Sequence, residues 1–187
     1  MSADLEDVIK EGTDSMASSV DHLKKELVKL RTGKASASML SGIEVDYYGT
    51  LTPLNQVANV SVTDSKTLTI QPWEKSMLGP IEKSIFEANL GLTPMNDGEV
   101  VRINIPPLTE ERRKDLFKHV KSLGEDAKIS LRNTRQKLMD AIRSEVKAGF
   151  PEDAGKRLEG KVQGMVNSFS EKVDEVVDAK EKDIMTV

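Results

Sequence analysis

This chain of 187 residues contains no cysteine and only two histidines. Without cysteine, disulfides and thiolate metal ligands are excluded. His22 and His119 lie far apart in the sequence, and neither belongs to a His/carboxylate motif with metal-ligand spacing. We therefore predict no metal site, no cofactor, and two histidines on helix surfaces.

Aromatic residues and long apolar runs are also scarce. The chain has four Phe, two Tyr and one Trp, so its core must consist of aliphatic residues, which suits helices better than a large sandwich. No apolar run approaches the ~20 residues that a membrane span requires. The N-terminus resembles neither a signal nor a transit peptide. These absences predict a soluble, cytoplasmic protein without a membrane partner.

The sequence offers no set of residues that would carry out catalysis. No nucleophile, base and metal ligand converge, and most acidic residues lie three or four positions from a lysine, as on solvated helix faces. Trp73 follows a proline at a predicted strand end. We predict that it packs in a small domain rather than stacking on a base, because stacking platforms usually contain several aromatics. The chain is therefore predicted not to be an enzyme.

Charge is concentrated in the segment 109–147. It contains 11 Lys and Arg against 7 Asp and Glu, whereas the rest of the chain contains 16 against 24. Apolar residues recur there at helical spacing, and a second stripe points away from them. The residues of this basic stripe are Lys114, Lys118, Lys121, Lys128, Arg132, Arg135 and Arg143. It could be a solvated face or an electrostatic footprint for nucleic acid.

Three long amphipathic helices are predicted. The first runs from Ser2 to about Thr32, with Ser2 or Asp4 as its cap and Gly33 after its end. The second runs from Thr109 to Lys147 and ends before Gly149 and Pro151, and the third runs from about Glu152 to Ile184. Gly12 lies on an apolar face, where it would allow close helix packing. The three stripes predict an elongated antiparallel bundle.

The pattern between Lys34 and Ile105 is different. Short alternating runs predict strands near 43–47, 60–62, 68–70 and 101–105, with a short helix over 80–89. The fold class is therefore α+β, with an inserted β/α/β domain at 34–105 and a discontinuous bundle formed by 1–33 and 106–187. Because the small domain is inserted, the chain passes between the two domains twice. These two connections predict hinges near 33–34 and 105–106, formed by Gly33, Lys34, Ile105, Pro106 and Pro107.

Five phrases carry a resemblance to a known family. They are LRTGKAS at 30–36, YYGT at 47–50, LGLTP at 90–94, PPLTEERRK at 106–114 and RNTR at 132–135. These phrases occur in this order along the chain, and the chain resembles the ribosome recycling factor family from end to end. The fourth and fifth phrases are the most specific.

The resemblance implies an L-shaped, two-domain monomer that mimics the outline of a transfer RNA. Such factors bind between the subunits of the ribosome after termination and split them together with elongation factor G and GTP. The resemblance also implies that the factor itself hydrolyses nothing. In the family the bundle contacts large-subunit ribosomal RNA, and the small domain faces elongation factor G.

Carried over to this sequence, the RNA-facing residues are Arg31, Arg132 and Arg135, with Lys34 where the family often has arginine. The basic stripe adds Lys121 and Lys128 to this predicted RNA-binding set. Gln136 stands where the family commonly has a further arginine, which implies fewer phosphate contacts.

An alternative function is also compatible with this sequence. A coiled-coil adaptor or a holdase-type chaperone would use the apolar stripes to bind partner helices, and its basic row would only be solvated. An exposed, continuous apolar stripe would favour that function, whereas burial of all three stripes in one bundle would argue against it.

Overall fold

The computed structural model describes residues 3–186. The chain forms two compact units. One, the bundle, consists of Met1–Arg31 and Glu110–Val187, and the other, the small unit, consists of Thr32–Thr109. The predicted hinges at 33–34 and 105–106 therefore lie two and four residues inside the small unit.

Three long helices build the bundle: α1 (Ala3–Val28), α3 (Glu110–Lys147) and α4 (Glu152–Met185), while α2 (Leu78–Glu87) belongs to the small unit. The helix α3 runs antiparallel to α1, since Ser19 hydrogen-bonds Ser130 (Oγ–Oγ 2.9 Å) and Gly12 packs on Leu138. It also runs antiparallel to α4, because Lys128 pairs with Asp174 whereas Arg143, later in α3, pairs with Glu159, earlier in α4. The predicted antiparallel bundle is confirmed.

The predicted apolar stripes form the core of the bundle. Its buried side chains are Leu5, Met16, Val20, Leu23, Leu27, Leu116, Val120, Ala127, Leu131, Leu138, Met139, Ile142, Val162, Val166, Val173 and Ile184. Val8 is an exception, with 37% of its surface exposed. The stripes of α1 and α3 are mostly buried, whereas the stripe of α4 combines buried residues (Val162, Val166 and Val173) with partly buried ones. No continuous apolar stripe is therefore exposed to a partner helix among the described residues.

Glycines set the closest approaches between the helices. A Cβ at Gly12 would lie 2.7 Å from Cδ2 of Leu138, and one at Gly124 would lie 2.8 Å from Cγ2 of Val177. Non-bonded atoms do not approach this closely, so a larger residue at either position would have to displace the facing side chain or move the helices apart. The predicted packing role of Gly12 is confirmed.

The end of α1 differs from the prediction. The helix stops at Val28 rather than near Thr32, and the amide of Leu30 bonds the carbonyl of Leu27 in a tightened last turn. Gly33, with φ of +76°, therefore does not end the helix. The proposed cap Ser2 lies outside the described residues, and Asp4 lies inside the helix.

The small unit contains one four-stranded antiparallel sheet and one hairpin. The hairpin pairs β1 (Glu44–Tyr47) with β2 (Thr50–Pro53). The sheet has the order β3-β4-β6-β5, with β3 at Ala58–Asp64, β4 at Thr67–Pro72, β5 at Pro94–Asn96 and β6 at Val101–Asn104.

The core of the small unit lies between its sheet and α2. Leu68 pairs with Ile103 across β4 and β6, and both side chains are fully buried, as are Ile81 and Ile85 of α2. Alternation along the strands places these residues on one face. The predicted runs at 68–70 and 101–105 are thus confirmed as central strands, within a residue or two at their ends.

No helix of the described part, residues 3–186, combines the length and apolar character needed to cross a membrane.

Candidate nucleic-acid interface

The outer face of α3 is strongly cationic. Lys114, Lys118, Lys121 and Arg132 are exposed there. They recur at helical spacing along about 18 residues, or ~27 Å of helix. A row of cations of this length can lie along several phosphates of a nucleic-acid backbone, and releasing the counterions of the nucleic acid would drive binding.

Three further residues of the basic stripe contact α4 instead of pointing away from protein. Lys128 Nζ lies 2.7 Å from Asp174 Oδ1, and Arg143 Nε lies 3.2 Å from Glu159 Oε1. Arg135 Nε donates a hydrogen bond of 2.6 Å to Gln163 Oε1. The stripe is broad enough for its long side chains to reach the neighbouring helix. The expectation that all seven residues face away from the apolar side therefore needs correction for these three.

Arg132 keeps most of its charge available to solvent. Its side chain is 66% exposed, and the nearest carboxylate oxygen, Glu125 Oε2, lies 4.0 Å from Nη2. An exposed pair at this distance contributes little. Arg132 is therefore the residue at the centre of α3 that is best placed to meet a phosphate.

Arg31 lies at a different level of the bundle from Arg132. Leu30, its neighbour, accepts a hydrogen bond of 3.2 Å from Lys180 Nζ of α4. Lys180 lies beyond Val177, which packs on Gly124 of α3. Arg31 is therefore closer to the level of Lys121 than to that of Arg132. The predicted RNA-binding residues of the bundle are spread along its length rather than gathered in one pocket.

Lys34 and the predicted hinge residues lie in the small unit. The amide of Ala35 donates to the carbonyl of Ser65 (2.8 Å), and the amide of Ile105 donates to the carbonyl of Lys66 (2.7 Å). The turn between β3 and β4 thus accepts a hydrogen bond from the chain near each of the two connections between the units. Gly33 adopts a positive φ, and a Cβ there would lie 3.1 Å from Leu108 Cγ.

A tyrosine–carboxylate cluster marks the hairpin of the small unit. The hydroxyls of Tyr47 and Tyr48 each donate 2.9 Å hydrogen bonds to Glu74, one to each carboxylate oxygen. The hydrogen bond with Glu74 raises the pKa of Tyr47, helped by partial burial. Tyr48 adopts φ of +48° in the turn, an unusual conformation for a bulky residue. These contacts give the YYGT phrase a structural role.

The prediction for Trp73 is wrong. Its side chain is 67% exposed rather than packed in the core. Its backbone amide bonds the carbonyl of Val57, which continues the strand pairing past Pro72 and leaves the ring outside. The two histidines, by contrast, are exposed on helices as predicted. Within residues 3–186, no group of histidines and carboxylates is arranged to hold a metal ion.

Gln163 and Asn167 of α4 belong to this surface but were not predicted from the sequence. Gln163 Nε2 donates a 2.9 Å hydrogen bond to Asn167 Oδ1, while Gln163 Oε1 accepts from Arg135. The spacing of four residues between two amides was the available signal. It could not have revealed which side chain of α3 lies beside them.

Comparison with known proteins identifies relatives over the full chain. The family model for ribosome recycling factor matches residues 23–185. The ribosome-recycling factor of Flavobacterium johnsoniae is 48% identical over 187 residues, covering 100% of both chains. That of Clostridium acetobutylicum is 47% identical over 184 residues, covering 98% of this chain and 100% of the relative.

Two solved structures share the fold. A solution structure of a ribosome recycling factor is 36% identical, with a TM-score of 0.77 and complete coverage of both chains. The second comes from models for the T. thermophilus ribosome recycling factor and E. coli elongation factor G bound to the E. coli post-termination complex. It is 38% identical, has a TM-score of 0.62, and covers 97% of this chain and 99% of its own.

Proposed function

The chain belongs to the ribosome recycling factor family, and we propose that it binds post-termination ribosomes and, with elongation factor G, promotes separation of the subunits. The observation that carries this proposal is the 48% identity to a ribosome-recycling factor over the whole of both chains. A structural relative was placed with elongation factor G on a post-termination complex. We therefore expect the same partners for this protein, in the cytoplasm.

In this proposal the factor catalyses no reaction. GTP hydrolysis takes place on elongation factor G, and the bundle serves as a rigid ligand for ribosomal RNA. RNA helices are bound largely through shape and backbone phosphates, so a straight cationic helix without aromatic side chains suits this task. The exposed basic residues of α3 and the acidic character of the rest of the chain support α3 as the RNA-binding surface.

The proposed RNA contacts are Arg31, Lys34, Lys121, Lys128, Arg132 and Arg135. Among the residues whose ion pairs or hydrogen bonds are described above, Arg132 has the charged group that is most accessible to a phosphate. Lys128 requires a change before it can contribute fully, because its ion pair with Asp174 must open or be shared with a phosphate. We expect the contribution of Lys128 to be smaller than that of Arg132.

The adaptor or chaperone alternative has little support. It needs an apolar stripe that is free to accept partner helices, and in the described residues the stripes of α1 and α3 are mostly buried while that of α4 is buried or partly buried. A solvated basic face remains compatible with the fold, so the experiment has to measure binding directly.

The decisive experiment measures splitting of purified post-termination ribosomes with and without elongation factor G and GTP. Wild-type protein should split subunits only when both are present. Arg132→Glu should keep its helical content and melting temperature but weaken co-sedimentation with ribosomes by about tenfold near 0.1 M salt. It should also reduce the salt slope of log K by roughly 1.

Lys161→Glu is the matched control, because Lys161 is an exposed lysine of α4 and the charge change is identical. It should bind as wild type does. Equal co-sedimentation of the Arg132 variant, the Lys161 variant and wild type across the salt series would exclude the RNA-binding role of Arg132. Absence of splitting by wild-type protein under all conditions would contradict the proposed function itself.

A further inference from the structure

The three basic side chains that reach α4 are paired in two chemically different ways. Lys128 and Arg143 face the carboxylates of Asp174 and Glu159. Arg135 faces the neutral amide of Gln163. A pair formed with a carboxylate has a net charge of zero, whereas a pair formed with an amide keeps a net charge of +1. Of the three contacts, only that of Arg135 thus holds the cation in place without adding a negative charge beside it.

The contact uses one particular atom of Arg135. Nε donates to Gln163 Oε1 at 2.6 Å, and among the described residues this is the hydrogen bond assigned to the guanidinium. A guanidinium has a further pair of terminal nitrogens, Nη1 and Nη2, which can bind two phosphate oxygens at once. Anchoring through Nε leaves that pair available and fixes the plane in which it lies.

Asn167 fixes the orientation of the Gln163 amide. Gln163 Nε2 donates to Asn167 Oδ1 at 2.9 Å, which requires Oε1 to lie on the opposite side, towards Arg135. A reversed amide would place a donor against the donor Nε. The three side chains therefore form an ordered relay from Asn167 through Gln163 to Arg135.

We propose that Gln163, supported by Asn167, is a positioning residue that presents the guanidinium of Arg135 to a ribosomal RNA phosphate without neutralising it. This inference rests on the proposed function and adds a contribution of α4 to the RNA-binding face of α3. The gain comes from preorganisation, since a long side chain that is already ordered loses less conformational freedom on binding.

The first test compares two substitutions of Gln163 by ribosome co-sedimentation across a salt series. Gln163→Ala frees Arg135 but leaves its charge, so affinity should fall roughly 2- to 10-fold with an almost unchanged salt slope. Gln163→Glu places a carboxylate against Arg135. It should weaken binding more than alanine does and lower the salt slope, while thermal unfolding shows no loss of stability.

Ser168→Glu is the matched control for the added negative charge. Ser168 is exposed on α4, five residues and about 140° around the helix from Gln163, and it should leave binding unchanged. If Ser168→Glu weakens binding as much as Gln163→Glu does, the effect is a general consequence of bundle charge, and the positioning role is wrong.

A double-mutant cycle separates positioning from a merely structural role. In an Arg135→Ala background, Gln163→Ala should cause no further loss of affinity. An equal loss in both backgrounds would overturn the proposal, because Gln163 would then act without Arg135. If Arg135→Ala weakens binding but both Gln163 variants bind like wild type, this inference alone fails. If Arg132→Glu and Arg135→Ala both bind like wild type, the proposed RNA face fails with it.

Discussion

The bundle and the small unit use charge very differently. Of the 109 residues in the bundle, 45 are charged, whereas only 13 of the 78 in the small unit are. Exposed large apolar residues show the opposite trend among the described residues. The small unit exposes six, Tyr48, Leu51, Val62, Trp73, Phe86 and Met95, and the bundle exposes four.

This contrast teaches that the two units are suited to different kinds of contact. A surface dense in charge binds polyanions in a salt-dependent way. A surface with few charges and exposed aromatic and aliphatic side chains is more typical of a protein contact, which salt affects less. Ribosomal RNA as the proposed partner of the bundle agrees with this difference, as does elongation factor G as the partner that the family resemblance implies for the small unit.

The largest effects are expected when the hydrophobic core of one unit at a time is destabilised, which tests whether the two units have separate roles. Leu131→Ala in the bundle and Ile103→Ala in the small unit each truncate a side chain that is at most 1% exposed. Each should destabilise its own unit by about 2–5 kcal/mol. Leu131→Ala should reduce ribosome binding, and Ile103→Ala should impair splitting more than binding.

The measurement uses two signals. Trp73 is the sole tryptophan, so its fluorescence reports on the small unit, whereas far-UV circular dichroism is dominated by the long helices. Denaturation followed by both signals should show the dichroism transition shift for Leu131→Ala and the fluorescence transition shift for Ile103→Ala. Identical shifts in both signals for both variants would mean that the units do not unfold separately.

The connection between the units gives the next test. Replacing Pro106 and Pro107 with glycine removes two residues of fixed φ from one of the two connections. We expect ribosome binding to change less than twofold and splitting with elongation factor G to fall several-fold. The reason is that a more flexible connection between the units transmits a movement of one unit to the other less effectively. Parallel co-sedimentation and splitting assays check this, and an equal loss in both would contradict a hinge role.

Helices and buried strands could be predicted from the sequence because their patterns are governed by local rules. The bounds of α3 and α4 were right within about one residue, since Gly149 and Pro151 mark the turn between them. By contrast, β2 and β5 were missed. The side chains of β2 are mostly exposed, and β5 has only three residues and begins with a proline, so neither shows an apolar alternation.

The candidate site could be predicted only in part for a related reason. Periodicity placed the basic residues of α3 on one arc, but it could not show which of them α4 would reach. That depends on the register between two helices, which brings Asp174, Gln163 and Glu159 beside Lys128, Arg135 and Arg143. The exposure of Trp73 was likewise decided by the course of the chain after β4.

Surface carboxylates stabilise turns in the small unit, and this leads to a smaller, pH-dependent prediction. Hydrogen bonds from the amides of Val100 and Glu99 to Oδ1 lower the pKa of Asp97, and Arg102 lies 2.8 Å away. Because this pKa is lower in the folded state, the stabilisation is present above the ordinary carboxylate pKa of 3.8. It is lost as the pH falls through the folded-state pKa.

Asp97→Ala should therefore destabilise the small unit at neutral pH, and its difference from wild type should disappear in acid. Chemical denaturation followed by tryptophan fluorescence between pH 7 and about pH 2.5 measures this. Glu44→Ala, which removes an exposed carboxylate of β1, is the control for a general loss of negative charge. A constant difference between Asp97→Ala and wild type at all pH values would show that the carboxylate charge is not involved.

The smallest expected effect concerns Lys180, where the densely charged bundle partly buries one of its cations. Burial lowers the pKa of Lys180, and the nearby Asp183 opposes that shift. Since the unfolded chain then binds more protons between the folded-state pKa and 10.5, the stability of the bundle should rise as the pH increases through that interval.

Lys180→Met should abolish this rise. It should change stability at neutral pH by less than about 1 kcal/mol, because loss of the hydrogen bond to Leu30 is offset by relief of the buried charge. Lys182→Met, at an exposed position in the same turn, is the control in denaturation measurements between pH 8 and 10.5 followed by circular dichroism. If Lys180→Met retains the wild-type rise, the rise belongs to other groups, and the partial burial of Lys180 does not cause it.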